Sequence, residues 1–153
     1  MRVVILILFL IISSNICAQI GTSKKTDKIT EIGSVERIFG DYISVYTLSY
    51  LEKDGDNFYG LVFTNEQTLY DDDSPDQKIL TFTANQDEFD YLYNFLLEGF
   101  KEDQIRYLDV GQDIVKTLPL INRFLYIYVN FKDGTYASLK LTKRQLAKLF
   151  GKK

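Results

Sequence analysis

The chain has no histidine and no tryptophan, one cysteine (Cys17), one methionine (Met1) and two prolines among its 153 residues. Without imidazole, histidine-activated serine or cysteine nucleophiles, zinc sites of the His/Cys kind, blue-copper sites and histidine-ligated haem are all excluded. Carboxylate, hydroxyl and amine chemistry remains. One cysteine makes no intramolecular disulfide, so the fold rests on packing. The chain also lacks a Gly-rich phosphate loop, a nucleophile elbow and an Asn-x-Ser/Thr acceptor, the last of which favours a bacterial envelope over a eukaryotic secretory route.

One long apolar run exists, residues 3–12, directly after Arg2. A membrane span needs about 20 apolar residues, so this run is short for one. Ile16, Cys17 and Ala18 close it with a small residue before Gln19, and the whole reads as a secretory signal, residues 1–18, cleaved after Ala18. Lipoprotein anchoring at Cys17 is the minor alternative, disfavoured because Ile16 is bulky. Cleavage removes the only cysteine and methionine. Residues 19–29 are polar and aperiodic, a flexible spacer, and residues 30–153 suffice for a single domain.

The clearest structure lies at residues 123–151, a β-hairpin running into a basic helix. With Asp133-Gly134 as a two-residue loop, Val129 would face Ser138 and Ile127 would face Lys140, mixing polar side chains into the apolar face. With Lys132-Asp133-Gly134 as a three-residue loop, Val129 opposes Ala137, Ile127 opposes Leu139 and Leu125 opposes Leu141. One slipped residue would turn every side chain over, so the second register is the one the pattern specifies. It also places Gly134 at the left-handed position of a type I turn with a G1 bulge. Thr142 and Gln145 have capping-box spacing, and Leu146, Leu149 and Phe150 form one stripe that Gly151 ends, giving a helix over about 143–150.

Upstream, strands are expected near residues 30–39, 42–51, 58–64 and 78–83. A main amphipathic helix follows over about 86–100, capped by Asn85 with Glu88 and apolar at Phe89, Leu92, Tyr93, Leu96, Leu97 and Phe100. Residues 104–110 and 114–118 supply two more strands, and Pro119 argues against a central strand continuing past them. The order β-β-β-β-α-β-β-β-β-α indicates an α+β fold, a mainly antiparallel sheet of about six to eight strands with the main helix packed on it. Lys-Asp-Gly turns recur at 53–55 and 132–134, each followed by Thr-x-x-Gln (Thr64 with Gln67, Thr142 with Gln145). A duplicated β-β-α unit would explain this; convergence of turn and cap chemistry explains it more simply.

Charge is polarised along the chain: residues 52–90 hold eleven acids against Lys53 and Lys78, and residues 91–153 hold eleven bases against six acids. Asp71, Asp72, Asp73 and Asp76 offer oxygen ligands to calcium, but an EF-hand loop begun at Asp71 would need Gly at 76 and Glu at 82, where Asp76 and Phe82 stand. A solvated acidic loop is the plainer reading. Tyr126 and Tyr128 share the face opposite the hairpin's apolar side with Lys140; either a second layer or helix covers that face, the plainer reading, or it is an exposed aromatic strip, the best ligand or partner surface in the chain. No cofactor is implied, and an exported acidic chain without a recognition motif is not expected to bind nucleic acid. The function these features suggest is an exported, non-enzymatic binding or interaction module of the cell envelope, its partner an unidentified envelope protein or ligand. The alternatives are a small carboxylate-dependent hydrolase of an extracellular polymer or an apolar-ligand carrier.

Overall fold

The computed structural model describes residues 28–40, 42–53, 56–69, 75–101, 103–120 and 123–152. Its eight strands divide into two antiparallel four-stranded sheets, where the sequence suggested one. Sheet I holds β1 (Ile29–Phe39), β2 (Tyr42–Lys53), β3 (Asp56–Thr64) and β4 (Gln77–Thr83) in that order. Helix α1 (Gln86–Glu98) follows, then sheet II with β5 (Arg106–Val110), β6 (Asp113–Leu120), β7 (Phe124–Asn130) and β8 (Tyr136–Thr142), and last helix α2 (Lys143–Leu149). The division falls where β4 leads into a helix and not into a hairpin turn, so β5 begins a new ladder.

Each sheet has one apolar face, and both faces bury into a single core with the two helices. From sheet I come Tyr46, Leu48 and Phe63, from sheet II Leu125, Val129 and Leu139, all at most 1% exposed. Phe89, Leu92, Phe95 and Leu96 of α1 are buried, and Leu146, Leu149 and Phe150 close the side where α2 lies. The void left among these layers is about 20 Å³, too small for an acyl chain.

Both capping boxes form: Asn85 Oδ1 accepts from Glu88 N–H while Glu88 Oε2 accepts from Asn85 N–H, and Thr142 and Gln145 do the same. The β7–β8 register is Leu125 with Leu141, Ile127 with Leu139 and Val129 with Ala137, as the three-residue loop requires, and Gly134 sits at φ 85°. Among the described residues no helix follows β3; residues 65–69 form a turn instead. The repeat present is four strands and a helix, used twice, and the two Lys-Asp-Gly turns fall at different places within it, so they reflect turn chemistry.

Pro119 lies inside β6, a central strand, paired with Leu125. The two-residue turn between Val110 and Asp113 makes that pair the hydrogen-bonded one, and alternation along the ladder then directs the backbone of Thr117 and residue 119 toward β5. β5 begins at Arg106, opposite Thr117, so Pro119 lies past its reach. The missing N–H falls where there is no strand to bond.

The last helix meets the first strand at Gly33. A Cβ there would stand 2.2 Å from the carbonyl oxygen of Lys148 and 2.7 Å from that of Leu149. Glycine lets the helix backbone lie directly on β1, beside the register shift between Glu31 and Gly33.

Candidate functional site

Alternation along β7 sends Leu125, Ile127 and Val129 into the core and Phe124, Tyr126 and Tyr128 to the opposite face of sheet II, where all three are half-buried. Register brings Lys116 of β6 and Ser138 of β8 beside Tyr128, and Lys140 beside Tyr126. The Lys140 ammonium lies 4.5 Å from the Phe124 ring centre and 5.4 Å from that of Tyr126, and Lys116 lies 5.4 Å from Tyr128. The tyrosine rings are 6.0 Å apart and near parallel. These are cation–π distances, so the lysine stems lie over the rings while their charges stay at the surface. Neither lysine has an ion-pair partner among the described residues.

One side of this strip is walled by sheet I. The edge of β8 is closed by the turn after β3: Ser138 N–H donates to Asn65 Oδ1 (3.0 Å), and Glu66 N–H donates to the Ser138 carbonyl (2.8 Å). Asn65 is 3% exposed, and its own N–H is bonded to the Asp76 carbonyl. Arg37, at the end of the core-facing row of β1, spans the same seam: its Nη1 donates to Glu66 Oε1 (2.8 Å), the Lys140 carbonyl (2.9 Å) and Tyr46 Oη (3.2 Å). The Tyr46 hydroxyl in turn donates to Glu66 Oε1. Burial pushes the Tyr46 phenol far above the usual tyrosine range, the hydrogen bond to Glu66 and its charge add to this, and Arg37 opposes it. The arginine and glutamate side chains are 13% and 11% exposed, so loss of either partner would strand a poorly hydrated charge.

Between the strip and this seam lies a polar hollow of about 240 Å³, bordered by Arg37, Glu66, Gln67, Tyr126, Tyr128 and Lys140. The three residues singled out from sequence, Tyr126, Tyr128 and Lys140, are therefore gathered at one place, with one flank walled. Sequence reading missed Phe124, Lys116, Arg37 and Glu66. Phe124 was within reach, as the next position in the period-two series with Tyr126 and Tyr128. Arg37 and Glu66 carry no local signal, because their contact spans both sheets.

Of the acidic cluster, Asp71, Asp72 and Asp73 lie outside the described residues. Asp76 pairs with Lys78 at 2.9 Å, and its N–H donates to Thr68 Oγ1. Among the described residues no group of three or more acidic, His or Cys side chains is arranged to hold a metal ion. Among the described residues, the carboxyls displaced from their ordinary range are Asp90 and Asp133, and both move down. The Lys152 ammonium donates to Asp90 at 2.6 Å, and the Thr135 hydroxyl to Asp133 at 2.6 Å.

Comparison with protein-family models, with curated proteins and with solved structures gave no match.

Proposed function

We propose that this protein is an exported, non-enzymatic binding module that meets a protein partner of the cell envelope through the outer face of sheet II. The observation that carries the proposal is the strip itself: three aromatic rings in line on β7, two ammonium groups over them with no ion-pair partner among the described residues, and a polar hollow at one flank. Rings of this kind supply contact area with little conformational freedom to lose, which suits a docking surface. The two lysines favour a partner with acidic side chains, one of which enters the hollow beside Lys140 and the tyrosine hydroxyls. The export reading rests on residues 1–18, as set out from the sequence.

The test places a photo-crosslinking amino acid at Tyr126 or Lys116, and for comparison at Thr81 on the outer face of sheet I, in the cells that make the protein. One discrete adduct from both strip positions and none from Thr81 is expected. Replacing the strip's tyrosines (Tyr126→Ser with Tyr128→Ser) lowers the yield from Lys116 at least tenfold while the unfolding midpoint stays within a few degrees. Equal adducts from both faces, or a yield indifferent to the double substitution, would remove the strip from consideration.

A further inference from the structure

The two edges of sheet II are treated differently. At β8 the outward N–H and C=O of Ser138 and the C=O of Lys140 are taken up by Asn65, Glu66 and Arg37. At β5 no such cover exists among the described residues. Because Val110 and Asp113 form the hydrogen-bonded pair next to the turn, Leu108 and Arg106 bond toward β6, and Tyr107 and Asp109 turn their N–H and C=O groups outward. That is two donors and two acceptors at strand spacing.

A cleft of about 500 Å³ lies beside Asp109. Leu108, Asp109 and Val110 all line it. Successive strand residues point to opposite faces, so three consecutive lining residues place the cleft along the edge of β5 and not over either face. Its far wall is apolar, with Phe82 from β4 and Tyr91 and Leu92 from α1. Its rim is acidic: Asp87, Glu88 and Asp109 line it, and no basic side chain does. Glu88 also caps α1 through Asn85 N–H. Two full negative charges at the helix start outweigh its positive end, worth about half a charge.

A second copy of the chain is a poor occupant, since pairing β5 with β5 would set one acidic rim against another. An incoming cationic strand has what the edge lacks. We propose that the edge of β5 binds an extended basic peptide as an added antiparallel strand. Its backbone pairs with Tyr107 and Asp109, its lysine or arginine side chains meet Asp87, Glu88 and Asp109, and its alternate apolar side chains turn inward to Leu92 and Leu108. In an antiparallel pair, the residues that bond to Tyr107 and Asp109 share their face, so the basic residues are the ones whose amides join the ladder.

The probe is a fluorescein-labelled, end-blocked Lys-Val-Lys-Val-Lys peptide, titrated into the whole protein at low salt and followed by anisotropy. Saturable binding is expected, with none for Glu-Val-Glu-Val-Glu. N-methylation of the lysine amides should weaken binding at least tenfold, and N-methylation of the valine amides less than threefold. Asp109→Lys should also weaken it at least tenfold, and the Tyr126→Ser, Tyr128→Ser protein should bind as the parent does. Absence of binding, or equal affinity for both methylated peptides, overturns the added strand. An unchanged affinity in Asp109→Lys, or loss of binding in the tyrosine variant, places the peptide elsewhere on the molecule.

Discussion

Replacing Gly33 by alanine tests the close approach of α2 to β1. The new methyl group would lie 2.2 Å from the carbonyl oxygen of Lys148 and 2.7 Å from that of Leu149. Both obstacles are main chain and cannot rotate away, so β1 and α2 have to separate by roughly 1 Å to reach ordinary contact distance. Overpacking of this kind costs about 1–3 kcal/mol. The separation also loosens Leu146 and Leu149, both 0% exposed, each worth about 1.5–3 kcal/mol if fully undocked. Partial undocking, less about 0.4–1 kcal/mol from the stiffer unfolded chain, leaves a net loss of about 2–4 kcal/mol. At about 4 °C per kcal/mol for a domain of this size, the thermal midpoint falls by about 8–16 °C. Urea unfolding followed by far-UV circular dichroism measures the change, with Gly60→Ala as the comparison, since a methyl group there meets nothing within 4 Å. If Gly33→Ala came within about 0.5 kcal/mol of Gly60→Ala, the direct seating of α2 on β1 would be wrong.

Tyr46 makes stability pH-dependent at the alkaline end. Its folded pKa lies above the ordinary 10.0, so the stability it contributes is complete below pH 10 and is lost as pH rises beyond it. Tyr46→Phe should be less stable than the parent by about 1–2 kcal/mol at neutral pH. Above pH 10 the gap should narrow by up to about 1.4 kcal/mol per pH unit, and a gap constant from pH 8 to 12 would count against the buried phenol. Thr117 is 0% exposed, and its hydroxyl has no hydrogen-bond partner among the described residues. Thr117→Val should therefore stabilise by about 1 kcal/mol in urea melts, whereas a loss of that size would reveal a partner for the hydroxyl.

Where neighbours in the chain are also neighbours in space, the sequence was sufficient. The β7–β8 register followed from keeping Leu125, Ile127 and Val129 on one face, and both helix starts followed from capping residues three apart. The grouping of Tyr126, Tyr128 and Lys140 came from the same alternation. What was not legible joins elements distant in the chain. Sheet number depends on whether β4 pairs with β5, and nothing in either strand states it. Arg37 reads as one more polar residue on a strand until Glu66 and the Lys140 carbonyl are seen around it. Gly33 reads as a weak point in β1, and its purpose appears only with the carbonyls of Lys148 and Leu149 against it. Pro119 misled for a related reason, since its tolerance depends on where β5 begins.

The seating of α2 on Gly33 also bears on when the chain can fold. Synthesis delivers β1 more than a hundred residues ahead of the helix that covers it. Until Leu149 emerges, the apolar side of β1 and β2 has no lid, and the contact that supplies one closes nearly the longest loop in the domain. Such distant closure slows folding, because the ordering entropy is spent before the contact rewards it. A growing chain therefore leaves this side of sheet I uncovered for most of its synthesis, and the last turn of helix to emerge is the one that seals it.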